Sequence, residues 1–351
     1  RDGSFSKAES LAPTTDPVVA ETGDLNGDGS SDLVFSGMNS GTIGVFLGRS
    51  IARDPSFESP SSVSVTGNFR SGVLADFNRD GKLDFLRASA STGTNVLYLH
   101  LGNGDGSFGS ETGVPSGLSA VSASSEPLKV RSADFNRDGR PDIAVLSPTN
   151  GELGIILSAG AEGSFGTPSV ISIGSGFQPM DFELADFDRD GDVDLAVVEK
   201  ATGYVRFYLN DGNGSFSASG FEDLSSSAPN CLRSIALFDF DRDGFIDAFS
   251  TCDSATNSGI SALFGGGSGI WSNFSLSADS ASTPTLSRPV VGDWNSDGWT
   301  DFAGISPGSN RVSIESNRKT TADPFDSTSS TVFAATSIGD LVLELLATVA
   351  P

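Results

Sequence analysis

The sequence predicts an all-β fold, a β-propeller of four-stranded antiparallel blades, and three observations support this prediction. A nine-residue acidic pattern recurs six times at intervals of 52 to 58 residues, and such regular spacing is typical of repeat architectures. The chain is rich in glycine, with 42 among its 351 residues, as expected for short strands joined by tight turns. Each repeat holds segments for four short strands, the number found in a propeller blade.

The acidic pattern reads D-x-[N/D]-x-D-G-x-x-D. Its six copies are Asp24–Asp32, Asp76–Asp84, Asp134–Asp142, Asp186–Asp194, Asp239–Asp247 and Asp293–Asp301. A second marker is a turn that ends in phenylalanine, at Phe5, Phe57, Phe108, Phe165, Phe216, Phe274 and Phe325. Several of these turns read Gly-Ser-Phe after Gly, Asn or Asp, which indicates a β-hairpin. We call this second marker the Phe turn.

Each repeat is predicted to contain the same four strands. An apolar first strand leads into the acidic loop, and a second strand such as Asp194–Val198 follows the loop. The third strand precedes the Phe turn, as in Tyr204–Asn210, and the fourth follows the Phe turn, as in Pro168–Gly174. We predict a single propeller domain over residues 1–351. Its repeat units are roughly 12–57, 58–108, 109–165, 166–216, 217–274 and 275–325, with the terminal segments 1–11 and 326–351 closing the ring.

The number of blades depends on the two ends of the chain. Ser4–Leu11 resembles a fourth strand, Thr331–Thr336 another, and Leu341–Val349 a first strand. We therefore favour seven blades with an incomplete last blade, and six blades are the alternative. The chain begins at Arg1 without a methionine, so we also expect a processed chain or a fragment of a longer one.

The acidic pattern has the composition of a calcium-binding loop, because calcium takes roughly six to eight oxygen ligands in a flexible shell. Positions 1, 3, 5 and 9 are always Asp or Asn, and position 6, where the chain must turn sharply, is always Gly. Position 7 varies freely, which fits a ligand provided by the backbone carbonyl. Position 12 is never acidic, so position 9 must close the site, unlike in an EF-hand loop.

We predict one calcium ion per loop, about six in all, and six such ions would halve the net charge of −24. The predicted ligands are Asp24, Asn26, Asp28, Ser30, Asp32, Asp76, Asn78, Asp80, Lys82, Asp84, Asp134, Asn136, Asp138, Arg140, Asp142, Asp186, Asp188, Asp190, Asp192, Asp194, Asp239, Asp241, Asp243, Phe245, Asp247, Asp293, Asn295, Asp297, Trp299 and Asp301. Position 2 is always apolar and is expected to pack under the loop into the blade. Its residues are Leu25, Phe77, Phe135, Phe187, Phe240 and Trp294.

The segments ADFNRDGKLDF (75–85) and LGNGDGSF (101–108) resemble the consensus of the FG-GAP/VCBS repeat family. Blades of this family form the seven-bladed head of integrin α subunits and occur in many bacterial surface proteins. The resemblance covers nearly the whole chain. It implies a propeller fold, one calcium ion per acidic loop and an extracellular setting, but no particular ligand.

The charge balance excludes some partners. With 45 acidic and 21 basic residues, the surface is expected to repel nucleic acids and anionic membranes. No run of 18 apolar residues is present, so no membrane insertion is expected.

Cys231 and Cys252 flank one acidic loop, and we predict a disulfide between them. Such a disulfide would indicate an oxidising compartment and an extracellular or cell-surface location.

The function that the sequence favours is adhesion or ligand binding, with a glycan or a surface or matrix protein as partner. Aromatic side chains that stack on sugars are candidates, namely Trp271, Trp294, Trp299, Tyr204 and Tyr208. The two tyrosines are expected to pack between blades. Trp299 occupies the freely varying position 7, so it is expected to be the most exposed of the five.

Two alternatives remain open, a structural subunit that assembles through its terminal strands and a polysaccharide lyase-like enzyme. The single histidine, His100, is expected to be packed or hydrogen-bonded rather than to act as a base, and we expect no enzyme activity. Two sequons, at Asn213 and Asn273, lie near Phe turns and are expected to be exposed sites for glycans.

Overall fold

The fold is described from a computed structural model. The structure describes residues 17–37, 41–49, 56–58, 61–65, 69–89, 97–119, 129–160, 163–224, 232–252, 259–266, 272–276, 287–293, 298–306, 311–315 and 331–334. Within these residues, the chain forms no helix with the length and apolarity needed to cross a membrane.

The described residues form six four-stranded antiparallel sheets, which confirms the all-β propeller architecture predicted from the sequence. The first sheet contains β1 (Pro17–Gly23), β2 (Asp32–Gly37), β3 (Thr42–Phe46) and β6 (Ser61–Ser64). The second sheet contains β7 (Phe69–Ala75), β8 (Asp84–Ser89), β9 (Leu97–Gly102) and β10 (Phe108–Val114). The third sheet contains β11 (Lys129–Ala133), β12 (Asp142–Ser147), β13 (Glu152–Ile156) and β14 (Ser169–Ser172). The fourth sheet contains β15 (Pro179–Ala185), β16 (Asp194–Glu199), β17 (Tyr204–Asn210) and β18 (Phe216–Asp223). The fifth sheet contains β19 (Leu232–Phe238), β20 (Asp247–Cys252), β21 (Gly259–Phe264) and β22 (Ser272–Leu276). The sixth sheet contains β23 (Ser287–Gly292), β24 (Asp301–Ser306), β25 (Arg311–Glu315) and β26 (Thr331–Ala334). A two-residue ladder joins β4 (Gly48–Arg49) to β5 (Ser56–Phe57).

Each sheet is completed by the strand that follows its Phe turn, so the sheets extend past the ends of the repeat units proposed above. In the last sheet this strand is β26, which pairs with β25 and lies in the segment predicted to close the ring. The segments needed for a seventh blade, 1–16 and 335–351, lie outside the described residues. Self-association through terminal strands therefore stays a prediction.

The first strands of successive sheets lie side by side in the order β1, β7, β11, β15, β19, β23. The sheets therefore radiate outward from these inner strands. Buried apolar side chains collect between neighbouring sheets, as where Leu146 and Leu153 of the third sheet meet Phe182 and Val197 of the fourth. The core is thus a series of layers between sheets, each held by its two neighbours.

The second strands show why the repeats carry apolar runs rather than alternating patterns. In the second, third and fourth sheets, every residue of β8, β12 and β16 is buried, because both faces of these sheets are covered by neighbours. The fourth strands β14 and β18 are mostly exposed at the outer rim.

The chain topology separates two ends of each sheet. Every acidic loop joins a first strand to a second strand, so all the loops lie at one end of the sheets. The turn from second to third strand and the connection to the next sheet lie at the opposite end. The acidic residues are thereby gathered on one side of the molecule.

Candidate metal centres

The acidic loops share a backbone framework built around the first aspartate. One oxygen of this side chain accepts a hydrogen bond from the N–H of the glycine at position 6. The contact is present in all six loops, from Gly29 to Asp24, Gly81 to Asp76, Gly139 to Asp134, Gly191 to Asp186, Gly244 to Asp239 and Gly298 to Asp293. The glycines have φ between +78° and +89°, a conformation that residues with a Cβ rarely adopt. This explains why position 6 never varies.

Positions 3 and 5 continue the framework toward solvent. The position-3 oxygen accepts the N–H of position 5, as between Asp188 and Asp190 at 3.2 Å, and the position-5 carboxylate accepts the N–H of position 7, as between Asp190 and Asp192 at 2.8 Å. The position-5 aspartates are exposed in the five loops whose central residues are described. Their outer oxygens therefore remain accessible to a cation.

The aspartate at position 9 is buried in every loop. In the fourth loop, Asp194 is 0% exposed. Its Oδ2 accepts the N–H of Phe187 at 2.9 Å and its Oδ1 accepts the N–H of Asn210, at the end of the third strand, at 2.8 Å. The same pair of contacts occurs at Asp32, Asp84, Asp142 and Asp247. This residue ties the loop to two strands.

Burial raises the pKa of these position-9 carboxyl groups, and the two backbone hydrogen bonds oppose that shift. The pKa of Asp142, Asp194 and Asp247 rises to about 6, and the pKa of Asp32 and Asp84 is also raised. Desolvation is the largest cause in all five. A buried carboxylate gains stability from a nearby positive charge, and a bound cation would provide one.

The fourth and fifth loops show the arrangement that best fits a metal ion. In the fourth loop, carboxylate oxygens of Asp186, Asp188 and Asp194 lie within 4.8 Å of one another, and positions 1, 3 and 9 of the fifth loop converge in the same way. Oδ1 of Asp186 and Oδ1 of Asp239 are buried and have no hydrogen-bond partner among the described residues. Unpartnered buried oxygens are costly, so these two atoms fit metal ligands. The residues present therefore suit a calcium ion, which prefers such oxygens.

The first three loops carry Asn at position 3 and differ in detail. There, Oδ1 of the first aspartate accepts the N–H of position 5, at 3.1 Å between Asp24 and Asp28. In two of them the Asn side chain also donates to the position-5 carboxylate, as from Asn26 to Asp28 at 3.1 Å. All six loops share one sequence pattern, whereas the structure distinguishes the first three loops, with Asn at position 3, from the fourth and fifth, with Asp there.

Predicted position-2 packing is confirmed where the side chains are described. Leu25, Phe77, Phe135 and Phe240 are buried, and Phe187 is half-buried. In the sixth loop, Trp294, Asn295 and Asp297 lie outside the described residues. Coordination by the position-7 carbonyls and the number of ions stay predictions.

Arginine at position 4 connects neighbouring loops, a feature the sequence analysis missed. Arg137 of the third loop contacts two residues of the fourth loop. It donates a hydrogen bond to the carbonyl of Asp190 at 2.7 Å and forms an ion pair with Asp192 at 2.5 Å. Arg189 lies over the ring of Phe245 in the fifth loop, with Cζ 3.4 Å from the ring centroid. Arg242 lies over Trp299 of the sixth loop at 4.2 Å. Each arginine therefore reaches the next loop along the chain.

The glycine at position 6 also makes room for these arginines. A Cβ atom at Gly244 would lie 3.0 Å from Nη2 of Arg189, and one at Gly191 would lie 3.1 Å from Nη2 of Arg137. Arg79 occupies the same position in the second loop with φ of +60°, close to the +58° of Arg137. In the third loop, which follows that of Arg79, position 7 is Arg140. Repulsion between these two positive charges disfavours a contact like that of Arg137 with Asp192.

Phe turns also couple successive sheets. Phe216 packs edge-on against Phe135 of the preceding loop at a centroid distance of 5.4 Å, and Phe165 packs against Phe77 at 5.9 Å. Asn210 donates to the carbonyl of Phe135 at 2.8 Å. The apolar residue at position 2 therefore supports the next blade as well as its own.

The repeated acidic loops and strands match a known family of repeats. Residues 24–87, 76–145, 134–197 and 186–250 match the model of the FG-GAP-like repeat, over more than half of the chain. The chain belongs to the FG-GAP-like repeat family. No curated protein matches it.

Solved structures resemble this FG-GAP-like chain in fold. An Agrocybe aegerita lectin, described as specifically recognising non-reducing terminal N-acetylglucosamine, has a TM-score of 0.63 and 19% identity, covering 91% of this chain and 80% of the lectin. A Lactobacillus plantarum protein has a TM-score of 0.61 and 10% identity, covering 91% and 85%. A functionally unknown Desulfotomaculum acetoxidans protein has a TM-score of 0.53 and 9% identity, covering 90% and 89%. At these identities the likeness concerns the fold alone.

The aromatic ligand candidates of the FG-GAP-like chain lie in different environments. Tyr208 is buried between the third and fourth sheets, as predicted. Tyr204 is half-buried. Trp299 is half-buried beneath Arg242. The expectation that it is the most exposed of the five candidates stays a prediction, because two of the five lie outside the described residues. Trp271 lies outside the described residues.

His100 is 1% exposed and has partners at both ring nitrogens. Arg87 donates to Nε2 at 3.2 Å, and Nδ1 lies 3.3 Å from the carbonyl oxygen of Gly109. Burial is the main reason that the pKa of His100 is lowered. These contacts are those of a packed, hydrogen-bonded histidine. The prediction that the protein is not an enzyme stays a prediction.

The predicted covalent modifications are not tested by the described residues. Cys231 lies outside them, and the backbone of Cys252 pairs with Leu232 in the fifth sheet. Asn213 is exposed in its turn, as predicted, whereas Asn273 belongs to β22 and pairs with Leu263 rather than lying in a turn.

Replacing Asp194 with Ala is expected to lower the free energy of unfolding by about 2–5 kcal/mol even in calcium chelator, because two buried backbone donors lose their acceptor. Chemical denaturation followed by circular dichroism measures this change. Asp188→Ala is the control: it removes an exposed carboxylate of the same loop and should change the chelated protein by less than about 0.5 kcal/mol. Equal losses for the two variants would contradict the structural role of position 9.

Replacing Arg137 with Ala is expected to lower the free energy of unfolding by about 1–2 kcal/mol, because Asp192, 6% exposed at its side chain, loses its ion-pair partner. Arg79→Ala is the matched control, since it makes the same change at the same loop position and the same φ. Denaturation of both variants in calcium measures the difference. A loss as large for Arg79→Ala as for Arg137→Ala would rule out the link between loops.

Proposed function

We propose that this protein is an extracellular, calcium-binding propeller module that binds ligands at a cell surface or in a matrix, with glycans as the ligand class. The observation that carries the proposal is the convergence of carboxylates in the fourth and fifth loops around buried oxygens without partners. Calcium bound there would neutralise these carboxylates and join the loop to the second strand.

Side chains at positions 1, 3, 5 and 9 of each loop would hold the ion, together with the position-7 carbonyl. Position 5 is exposed in the five loops whose central residues are described, and position 9 is buried, so the ion would lie between solvent and the core. Calcium modules of extracellular proteins bind at roughly 10⁻⁴–10⁻³ M, which suits loops of this kind. Family membership supports the same setting, because FG-GAP repeats are typical of extracellular proteins.

Glycans are favoured as ligands by two further points. The fold resembles that of the Agrocybe aegerita lectin, although a fold by itself does not establish a ligand. The acidic loops lie at one end of the sheets, so we place ligand recognition at the other end. Phe177 and Phe221 lie at that other end and are among the most exposed large apolar side chains of the described residues.

Removal of calcium is expected to lower the melting temperature by about 10 °C or more, because unneutralised carboxylates would repel one another and ligand linkage would be lost. Thermal unfolding in calcium, in chelator, and in chelator with magnesium measures this change. Elemental analysis of the calcium-loaded protein should find close to six ions per chain if every loop is filled. An unchanged melt in chelator together with no bound calcium would overturn the metal assignment.

Glycan binding is expected to require the calcium-loaded fold. A screen on immobilised glycans, run in calcium and again in chelator, should reveal binding to a defined glycan in calcium that weakens at least about tenfold in chelator, if the binding surface depends on the propeller. Matrix proteins immobilised in the same way form the comparison. Absence of binding to every glycan by the folded, calcium-loaded protein would contradict the proposed ligand class.

A further inference from the structure

An exposed cluster of aromatic side chains surrounds Arg206 at the end of the fourth sheet opposite the acidic loops. Phe177 belongs to the short turn Ser175–Phe177 that joins β14 to β15. Tyr204 and Arg206 lie on β17, and Phe221 lies on β18 directly opposite Arg206. We call Phe177, Tyr204, Arg206 and Phe221 the Arg206 cleft.

Two rings of the Arg206 cleft stack on each other, and its two phenylalanines are exposed to solvent. Tyr204 and Phe221 stack with centroids 4.4 Å apart and planes at 11°. Phe221 is 48% exposed and Phe177 is 40% exposed, whereas most described phenylalanines are buried. Exposed apolar groups of this size that lie together are typical of binding sites.

Arg206 is fixed between the two phenylalanines by a buried acid. Its Cζ lies 5.5 Å from the ring centroid of Phe177 and 5.5 Å from that of Phe221. Nε donates to Oε1 of Glu199 at 2.6 Å and Nη2 to Oε2 at 3.3 Å, while Thr202 donates to the same carboxylate at 2.8 Å. Glu199 is 0% exposed, so the guanidinium is held from below, while 21% of the Arg206 side chain stays exposed to solvent.

The turn that carries Phe177 is anchored to the same region. Ala201 donates its backbone N–H to the carbonyl of Phe177 at 3.1 Å, and Lys200 donates to the carbonyl of Gln178 at 3.0 Å. Both donors belong to the segment between β16 and β17. These bonds hold the Arg206 cleft in one shape before any ligand arrives, which reduces the entropy lost on binding.

The chemistry of the Arg206 cleft selects among ligands. A pyranose ring presents C–H groups on its faces, which pack on aromatic rings, and hydroxyl groups at its edge, which accept hydrogen bonds from a guanidinium. The charge of Arg206 is already compensated by Glu199, and the chain carries a net charge of −24. An anionic sugar would therefore meet no uncompensated positive charge here and would be repelled by the surface.

We infer that the Arg206 cleft binds a neutral saccharide ring, which stacks on Phe221 or Phe177 and accepts hydrogen bonds from Arg206. This inference rests on the proposed function, because it locates the glycan site within the propeller. It also separates the ligand site from the acidic loops, which lie at the other end of the fourth sheet.

Binding to immobilised N-acetylglucosamine, galactose, mannose and fucose, with galacturonic acid as an anionic comparison, tests the inference on the calcium-loaded full chain. The wild-type protein should bind at least one of the neutral sugars and should bind galacturonic acid more weakly. Phe221→Ala and Phe177→Ala should each weaken the binding of that neutral sugar by roughly tenfold or more. Arg206→Lys, which keeps the charge beside Glu199 but loses the planar fork, should also weaken it.

Val170→Ala is the matched control, because Val170 is also an exposed apolar residue, at 43%, but lies outside the cleft on β14. It should leave sugar binding unchanged, and melting curves in calcium should show that every variant is folded. If the wild-type protein binds a neutral sugar and the cleft variants bind it equally well, the Arg206 cleft is not the site although the proposed function stands. If the wild-type protein binds none of the sugars, both the site and the proposed glycan ligand are wrong.

Discussion

The buried carboxylate at position 9 is the interaction on which the rest of this propeller depends. It begins the second strand of every blade, and in the fourth sheet Asp194 accepts hydrogen bonds from Phe187 in its own loop and from Asn210 at the end of the third strand. One side chain thus holds together its own strand, a loop residue 7 positions earlier and the end of a strand 16 positions later. Burial raises the pKa of this carboxyl group. A nearby positive charge would therefore stabilise its ionised form, in the same geometry that organises the blade. Metal binding and folding are therefore expected to be coupled in this protein.

Neighbouring blades are coupled by contacts that repeat with the same offset. Arg137, Arg189 and Arg242 each reach the following loop, and the Phe turn of one blade rests on position 2 of the loop before it. Such nearest-neighbour contacts make the stability of a repeat protein depend on interfaces as much as on single blades. The arginine contacts also connect the third, fourth, fifth and sixth acidic loops to one another. After Arg79, position 7 of the next loop is Arg140, and the like charges of these two arginines disfavour a similar contact.

The two ends of the blades have different chemistry. One end carries the acidic loops and serves the scaffold, since their geometry is repeated from blade to blade. The other end carries the Arg206 cleft, where the turn Ser175–Phe177 lies outside the repeated strands and meets two outer strands. Function in repeat folds is commonly built on such irregular positions, because the repeated elements are constrained by packing. Proposed calcium binding and proposed ligand binding therefore use separate parts of the same sheets.

Local patterns in the sequence determined the all-β propeller, the strands, the acidic loops and the burial of position 2, because each depends on residues within one repeat. Predicted strands such as Tyr204–Asn210 agree with the structure, since apolar segments bounded by turn residues have few other ways to fold. The tertiary structure alone decided which oxygens of Asp186 and Asp239 have no hydrogen-bond partner among the described residues. It also decided that Arg137 contacts the next loop, 53 residues away, and that Arg206 lies between the rings of Phe177 and Phe221. Their contacts join residues far apart in the chain. The spacing of residues along one strand carries no information about which side chain a neighbouring blade will place against it.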